Sequence, residues 1–236
     1  VLFFLTSAVN ADGLENVLNK VYDKGSKSAE NFITNLIPEG LGDSEVSINT
    51  KQDNKPTGSI MIVRPLDIQD DDVFFYQAQF NNFYIDGSRR NSINYGLGKR
   101  FLSDDDSFYY GLNSFFDLDS KYNKRVSVGG EFKASTFEVN GNYYFGFGGG
   151  NHVRQNTERV LDGHELSISG QVPYTPWANI SLNNYKWIAN KNSDHSQGNK
   201  ISGEIYLTND LTFEVGSDDN NINNDESYFA KIIYIP

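Results

Sequence analysis

The chain has 236 residues and carries 31 acidic against 20 basic side chains, a net charge of −11 that argues against nucleic acid as a partner. Apolar residues make up 38%, low for a globular core, yet Phe, Tyr and Trp reach 14%, so the hydrophobic surface is concentrated in aromatics and fits a thin apolar shell. The absence of Cys removes disulfides and thiolate metal sites from consideration and is compatible with an oxidising envelope compartment.

The first residues, VLFFLTSAVNA, form an apolar run with Val9 and Ala11 at the −3 and −1 positions of a signal-peptidase site. Residues 1–11 therefore read as a residual signal peptide, the alternative being a buried first strand. No other segment approaches the ~18 or more apolar residues of a membrane helix, so any entry into a membrane is by strands. Residues 12–42 read as a helical lead-in. Asp12 and Glu15 form a capping pair, and Leu14, Val17, Leu18 and Val21 recur at i, i+3, i+4 and i+7. Gly25 and Ser26 interrupt the pattern; Phe32, Ile33 and Leu36 resume it until Pro38 and Gly40 end it.

From Asp43 onward the period is two. Val46 and Ile48 alternate with Glu45 and Ser47, and a weaker strand covers 60–66. Phe74, Tyr76, Ala78 and Phe80 alternate with Gln77 and Gln79; Ile93, Tyr95, Leu97 and Phe101 face away from Asn94, Gly96, Gly98 and Arg100. Phe108, Tyr110, Leu112 and Phe116 oppose Gly111, Asn113 and Asp117. The cleanest cases follow. Val126, Val128 and Phe132 stand against Arg125, Ser127, Glu131 and Lys133, and Phe137, Val139, Tyr143 and Phe145 against Glu138, Asn140 and Asn142. Leu166 and Ile168 oppose Glu165 and Ser167, Ile180 and Leu182 oppose Ser181 and Asn183, and Ile201 and Ile205 oppose Lys200 and Glu204. Leu211, Phe213 and Val215 face away from Glu214, and a last strand sets Tyr228, Ala230, Ile232 and Tyr234 on one side. About twelve strands result.

Soluble sandwiches alternate too, but three further features point to a membrane barrel. The strands run about 9 to 11 residues, the length a tilted membrane strand needs. Aromatics such as Phe74, Phe108, Phe137 and Tyr234 sit at strand ends, where an interfacial girdle places them. Connections alternate between tight turns, near Ser135, Pro173 to Pro176 and Asn209-Asp210, and long polar loops at Gly148 to Leu161, Ile188 to Asn199 and Ser217 to Glu226. Backbone groups in hydrocarbon must be paired internally, and a sheet achieves that only by closing. The expected fold is therefore all-β: a 12-stranded antiparallel transmembrane β-barrel over 43–236, preceded by the short N-terminal helical segment. Its lumen-facing set is Arg100, Asn113, Arg125, Glu131, Lys133, Glu138, Asn140, Glu165, Lys200 and Glu204. Its lipid-facing set is Phe108, Tyr110, Leu112, Val126, Val128, Phe132, Phe137, Val139, Ile168 and Tyr234.

With the strands placed, the sequence resembles the inverse autotransporter β-domain of intimin and invasin. The matching pieces are Asn94-Tyr95-Gly96-Leu97-Gly98-Lys99-Arg100-Phe101, Tyr110-Gly111-Leu112-Asn113-Ser114-Phe115-Phe116-Asp117 and Gly129-Gly130-Glu131-Phe132. They continue in order through Asn140-Gly141-Asn142-Tyr143-Tyr144, Asp162-Gly163 and Val172-Pro173-Tyr174, after an Ile37-Pro38 step in the lead-in. The resemblance implies a barrel in a Gram-negative outer membrane with its N-terminus and lead-in periplasmic. In the family the chain continues past the last strand, threads the lumen as a linker and displays adhesin domains outside. Here it stops at Ile235-Pro236, so the expectation is a translocator without a passenger of its own within this chain. A stand-alone pore, and a surface receptor or adhesin acting through the long loops, are the alternatives. Expected partners are outer-membrane lipid, the barrel assembly machinery, which an aromatic-ended last strand suits, and a passenger segment or a host or surface ligand.

No cofactor, metal or enzymatic activity is expected. His152, His164 and His195 fall in or beside loops and read as solvated loop histidines; His164, near Asp162 and Glu165, is the sharpest catalytic candidate, but no motif supplies the positioned partners an acid and base need. The acidic runs at Asp70 to Asp72, Asp104 to Asp106 and Asp218 to Glu226 lack EF-hand spacing and read as surface turns. Gly96 and Gly98 lie inside a strand, so they read as close packing or as room in the lumen and not as a phosphate loop.

Overall fold

The computed structural model describes residues 43–51, 56–85, 88–147, 151–153, 156–158, 160–189, 195–221 and 227–235. The expected signal-peptide remnant 1–11 and helical lead-in 12–42 lie outside the described residues.

Twelve strands form one closed antiparallel barrel. The first seven are β1 (Asp43–Lys51), β2 (Thr57–Ile68), β3 (Asp72–Ile85), β4 (Ser88–Leu102), β5 (Phe108–Asp119), β6 (Lys124–Ala134) and β7 (Phe137–Phe147). A separate two-stranded hairpin, β8 (Asn151–Val153) and β9 (Asn156–Glu158), occupies the connection that follows. The barrel continues with β10 (Asp162–Val172), β11 (Thr175–Ile188), β12 (Ser196–Tyr206), β13 (Leu211–Asn220) and β14 (Ser227–Tyr234). Consecutive barrel strands pair with each other, and β1 pairs with β14 from Val46↔Tyr234 to Lys51↔Phe229, which closes the sheet. Closure pairs the backbone all the way round, the condition for a sheet to lie in hydrocarbon.

Strand lengths run from 8 residues in β14 to 15 in β4, a wider range than the 9 to 11 read from the sequence. Alternation marks only the apolar band, whereas backbone pairing goes on through polar tips. The β3–β4 ladder thus persists through Asn82↔Asn91 to Ile85↔Ser88. The same physics corrects two of the three long loops. Ile188 to Asn199 and Ser217 to Glu226 are rich in Asn, Asp and Lys, yet β12 already begins at Ser196 and β13 runs to Asn220, paired at Asn199↔Asp219 and Gly198↔Asn220. The third, Gly148 to Leu161, holds the β8–β9 hairpin. The tight turn expected over Pro173 to Pro176 is shorter, because Thr175 and Pro176 already belong to β11. The weak strand near 60–66 is the full-length β2. Its ladder slips between Pro65 and Asp67, where proline has no N–H to donate.

The connections sort into two rims. One gathers 69–71, 103–107, 135–136, 173–174 and 207–210, with the start of β1 and the end of β14. The other is where β1, β3, β5, β7, β11 and β13 end and β2, β4, β6, β10, β12 and β14 begin, with 120–123 between β5 and β6. At the first rim Asp106 and Tyr174 adopt φ of 56° and 61°, as Tyr122 does at the second with 63°, left-handed values that let the chain reverse within a few residues.

Register decides which side chains share a face, because directly paired residues point the same way. Leu112, 65% exposed, shares the outer face with Phe108, Tyr110, Val128, Phe137 and Ile168, all exposed. Val126, Phe132, Val139 and Tyr234 lie on that face by pairing with Phe116, Tyr110, Ile168 and Leu211. Near the tight-turn rim its aromatics stack in series: Phe108 on Phe132 at 5.2 Å, Phe132 on Phe137 at 5.5 Å and Phe101 on Tyr110 at 5.2 Å. The outer face is not uniformly apolar there, since Lys99 lies beside Phe101 and forms a 2.8 Å ion pair with Asp72. Its long aliphatic stem covers apolar surface while the ammonium reaches the carboxylate at the rim.

Candidate functional site

The inner face forms a polar lumen. Its wall from β3 to β7 is built on two arginines, each clamped twice. Arg100 on β4 reaches across β5 to Glu131 on β6 in a two-pronged contact, Nε to Oε1 at 2.7 Å and Nη2 to Oε2 at 3.1 Å. Its guanidinium also lies over the rings of Phe75 at 4.6 Å and Tyr109 at 5.2 Å. Arg125 pairs with Asp117 at 2.7 Å and stacks on Tyr144 at 4.2 Å and Trp187 at 5.3 Å. A planar cation meets a carboxylate at its edge and an aromatic at its face, an arrangement lysine cannot reproduce. Arg90 pairs with Asp119 at 3.3 Å and Lys133 with Glu138 at 3.2 Å. Asn81, Asn94 and Asp117 link three strands, with Asn81 donating to Asn94 at 2.6 Å and Asn94 to Asp117 at 2.5 Å.

The opposite wall, from β10 through β14 to β1, is built differently. Glu165 accepts from Asn183 at 2.6 Å and from the Tyr144 hydroxyl at 3.2 Å, and Asp218 accepts from Tyr185 at 2.8 Å. Lys231 stands 3.8 Å from Glu45 and 4.0 Å from Glu214. Lys200 lies over the Tyr185 ring at 5.2 Å. Hydroxyls fill the intervals, as where Ser47 and Ser59 bond at 2.7 Å.

Inward aromatics are seated on inward glycines of the neighbouring strand. Phe75 pairs in register with Gly98, Phe115 with Gly96, Trp187 with Gly163, Tyr185 with Gly198 and Phe229 with Gly216. A methyl group at any of these glycines would run into its partner: at Gly96 it would meet Phe115 Cγ at 2.7 Å, and at Gly216 Phe229 Cζ at 2.6 Å. Absence of a side chain on one strand makes the bed for the ring on the next.

Three cavities open inside the barrel. One of about 510 Å³ is lined by Glu165, Ser181, Asn183, Lys200, Glu214 and Lys231, among others. A second, of about 430 Å³, lies against Arg100, Asn113, Arg125, Glu131 and Asn140. The third, of about 440 Å³, sits at the tight-turn mouth beside Lys133, Glu138 and Glu204. The ten side chains read from the sequence as lumen-facing thus all line these cavities. The lumen-facing set read from the sequence leaves out the inward aromatics Phe75, Tyr144, Tyr185 and Trp187, because it was drawn from charged and amide side chains alone. The signal that marks these four is a glycine at the paired position: Gly98 for Phe75, Gly163 for both Tyr144 and Trp187, and Gly198 for Tyr185.

His164 does not assemble a hydrolytic site with its sequence neighbours. It pairs with Tyr143 on the outer face and stacks on that ring at 6.3 Å, while Glu165 points into the lumen. Asp162 accepts from the Gly146 amide at 2.7 Å. His195 accepts from the Ala189 amide at 3.1 Å, and the side chain of His152 lies outside the described residues. Among the described residues no group of three His, Asp or Glu side chains is placed to hold a metal. In the 103–107 turn Asp105 accepts from Ser107 at 2.7 Å and from Ser103 at 2.8 Å, and these bonds hold its carboxyl below the ordinary value.

Comparison with known proteins shows what this architecture belongs to. No curated protein sequence matches the chain. Among solved structures, a chain from work on in-meso crystallization of membrane proteins is similar with a TM-score of 0.73 and 20% identity, over 83% of each chain. An outer membrane channel from Pseudomonas putida F1 is similar with a TM-score of 0.60 and 9% identity, over 84% of this chain and 97% of that one. The KdgM porin gives 0.53 and 9% identity, over 81% and 98%. At such identities these likenesses speak to fold alone: a closed barrel of outer-membrane type. The family model for the inverse autotransporter, beta-domain, matches residues 5–216, which takes in β1 to β12 and most of β13. The closed twelve-stranded barrel and that match together place this chain in the inverse autotransporter β-domain family, as a transmembrane β-barrel of the outer membrane.

Proposed function

We propose that this barrel is a translocator of the intimin and invasin type, anchoring in the outer membrane a segment that passes through its lumen. In this reading the rim of tight turns is periplasmic, residues 12–42 stand on that side, residues 1–11 are the remnant of the export signal, and the long connections face outside. The supporting observation is where the sheet closes: β14 ends at Tyr234 on the tight-turn rim, beside the start of β1. Any chain continued beyond that strand begins at the inner mouth of a polar lumen and reaches the outside through it. The wall suits such an occupant, because the hydroxyls and amides of Ser167, Ser181, Asn183 and Asn49 offer donors and acceptors to an extended backbone. Strand β14, outward at Tyr228, Ala230, Ile232 and Tyr234, is the edge the assembly machinery would receive.

The test is an epitope joined after Pro236 through a polar linker long enough to cross the lumen, at ~3.3 Å per extended residue. Cells expressing the fusion, intact and with the barrel folded, are treated with a protease. Loss of the epitope from intact cells is expected. An epitope protected until the outer membrane is opened would overturn the proposal.

A second reading, a pore, is favoured by the cavities along both walls and by the likeness to a porin and an outer membrane channel. Steady conductance of the purified barrel in planar bilayers would support it, and an electrically silent barrel would sink it.

A further inference from the structure

The two walls of the lumen differ in how their charge is balanced. On the β4–β7 side each cation has its own carboxylate: Arg90 with Asp119, Arg100 with Glu131, Arg125 with Asp117 and Lys133 with Glu138, none farther than 3.3 Å. Such pairs cancel within a few ångströms and leave little field for a passing ion. On the β10–β14 and β1 side the inward carboxylates whose side chains the structure describes are Glu45, Glu165, Glu204, Glu214 and Asp218, and the inward cations whose side chains it describes are Lys200 and Lys231. Lys231 is shared between Glu45 and Glu214 at 3.8 and 4.0 Å, while Glu165 accepts from the neutral donors Asn183 and Tyr144. Glu204, at the tight-turn mouth, has no ion-pair partner among the described residues. This wall also bounds the cavity of about 510 Å³. Low-dielectric walls of one sign concentrate counter-ions along the path they line.

From this asymmetry we infer that the lumen admits cationic solutes selectively along the wall formed by β10–β14 and β1, the paired wall of β4–β7 contributing no selectivity. The inference rests on the lumen being a passage, as proposed above, and names which charge travels and where.

The chain has no cysteine, so single cysteines report cleanly. Ser181→Cys places a thiol on the acidic wall and Gln79→Cys one on the opposite side of the lumen. Each variant, folded in lipid vesicles, is labelled with a trimethylammonium-bearing and with a sulfonate-bearing methanethiosulfonate, and the two rates are normalised to those of free cysteine. The cationic-to-anionic rate ratio is expected to be roughly tenfold or more at Ser181→Cys and near one at Gln79→Cys, the scale on which charged clefts alter encounter rates. In the Ser181→Cys background, Glu204→Gln and Glu214→Gln should lower the ratio severalfold. Equal ratios at the two positions, or a ratio at or below one at Ser181→Cys, would overturn the selectivity while leaving the passage standing. Failure of both reagents to reach either thiol, while both label the unfolded protein, would overturn the passage as well.

Discussion

Replacing Gly98 by alanine should weaken the barrel by far more than a methyl group in a polar lumen suggests. The Phe75 ring lies across Gly98, and an added Cβ would overlap Phe75 Cζ and sit 2.9 and 3.0 Å from the flanking ring carbons. Relaxed carbon–carbon contacts are about 3.5–4.0 Å, so the ring must shift by roughly that shortfall. It has little freedom to do so. Phe75 is 4% exposed, and above it lies the Arg100 guanidinium, itself held by two bonds to Glu131. Overpacking of this kind costs about 1–3 kcal/mol, and disturbing the cation–π contact adds about 0.5–1 kcal/mol at a partly solvated site. With a urea slope of about 1–3 kcal/mol per molar, the unfolding midpoint in detergent micelles should fall by about 1 M. The fluorescence of Trp177 and Trp187, the two tryptophans, follows the transition. Phe75→Leu in the Gly98→Ala background should recover part of the loss, giving a coupling of about 1 kcal/mol in the double-mutant cycle. An unchanged midpoint for Gly98→Ala, or strict additivity in the cycle, would refute the idea that ring and glycine form one unit.

Further outcomes follow from other parts of the molecule. Glu131→Gln strands Arg100 in a wall where the carboxylate is 9% and the arginine 37% exposed, so the loss should be about 1–3 kcal/mol, below the value for a dry buried pair. Arg100→Gln combined with it should restore part of the urea midpoint, and a double variant weaker than the sum of the singles would contradict the pairing. Leu112→Arg on the outer face should cost about 2–4 kcal/mol in lipid vesicles if it lies near the bilayer midplane. Its neighbour Asn113→Lys, on the inner face, should cost less, and the reverse order in a folding titration would contradict the face assignment. Asp105, whose pKa is lowered by its bonds to Ser107 and Ser103, should titrate below 3.8 when followed by carboxyl-carbon NMR in micelles. Because its folded value lies below the unfolded one, its contribution to the turn is complete above the unfolded pKa and is lost as pH falls through the folded one. A midpoint at or above 3.8 would remove those bonds from the account.

What the sequence reveals is set by which physical terms repeat. The exchange of apolar and polar side chains at period two follows directly from a two-faced strand, so all twelve barrel strands, and the faces of residues such as Val128 and Glu131, are readable from it. The ends of the strands are not. Backbone pairing at Asn199↔Asp219 uses the same N–H and C=O groups whatever side chains they carry, so a polar tip and a loop look alike in composition. The inward rings escape for a different reason. Tyr185 and Trp187 satisfy burial by lying over glycines one strand away, a relation between distant positions that no local window contains. Gly96 and Gly98 were legible only as far as a need for space; the rings of Phe115 and Phe75 supply the reason for it. His164 and Glu165 are adjacent in sequence, and in a strand that adjacency means opposite faces.

The ladder between β1 and β14 has a consequence for how this chain can be made and broken. Every other barrel junction joins strands consecutive in the barrel, β7 and β10 across the β8–β9 hairpin and the rest across a single connection, so each pair can zip locally. The junction from Val46↔Tyr234 to Lys51↔Phe229 joins the two ends of the sheet and bears the largest loop-closure entropy of all. It also involves the shortest barrel strand, the 8-residue β14. That seam is therefore the last latch to engage and the first to spring. A cut in a connection between strands leaves every ladder intact, whereas losing the final eight strand residues would leave two naked edges, on β1 and β13, facing hydrocarbon with nothing to pair them.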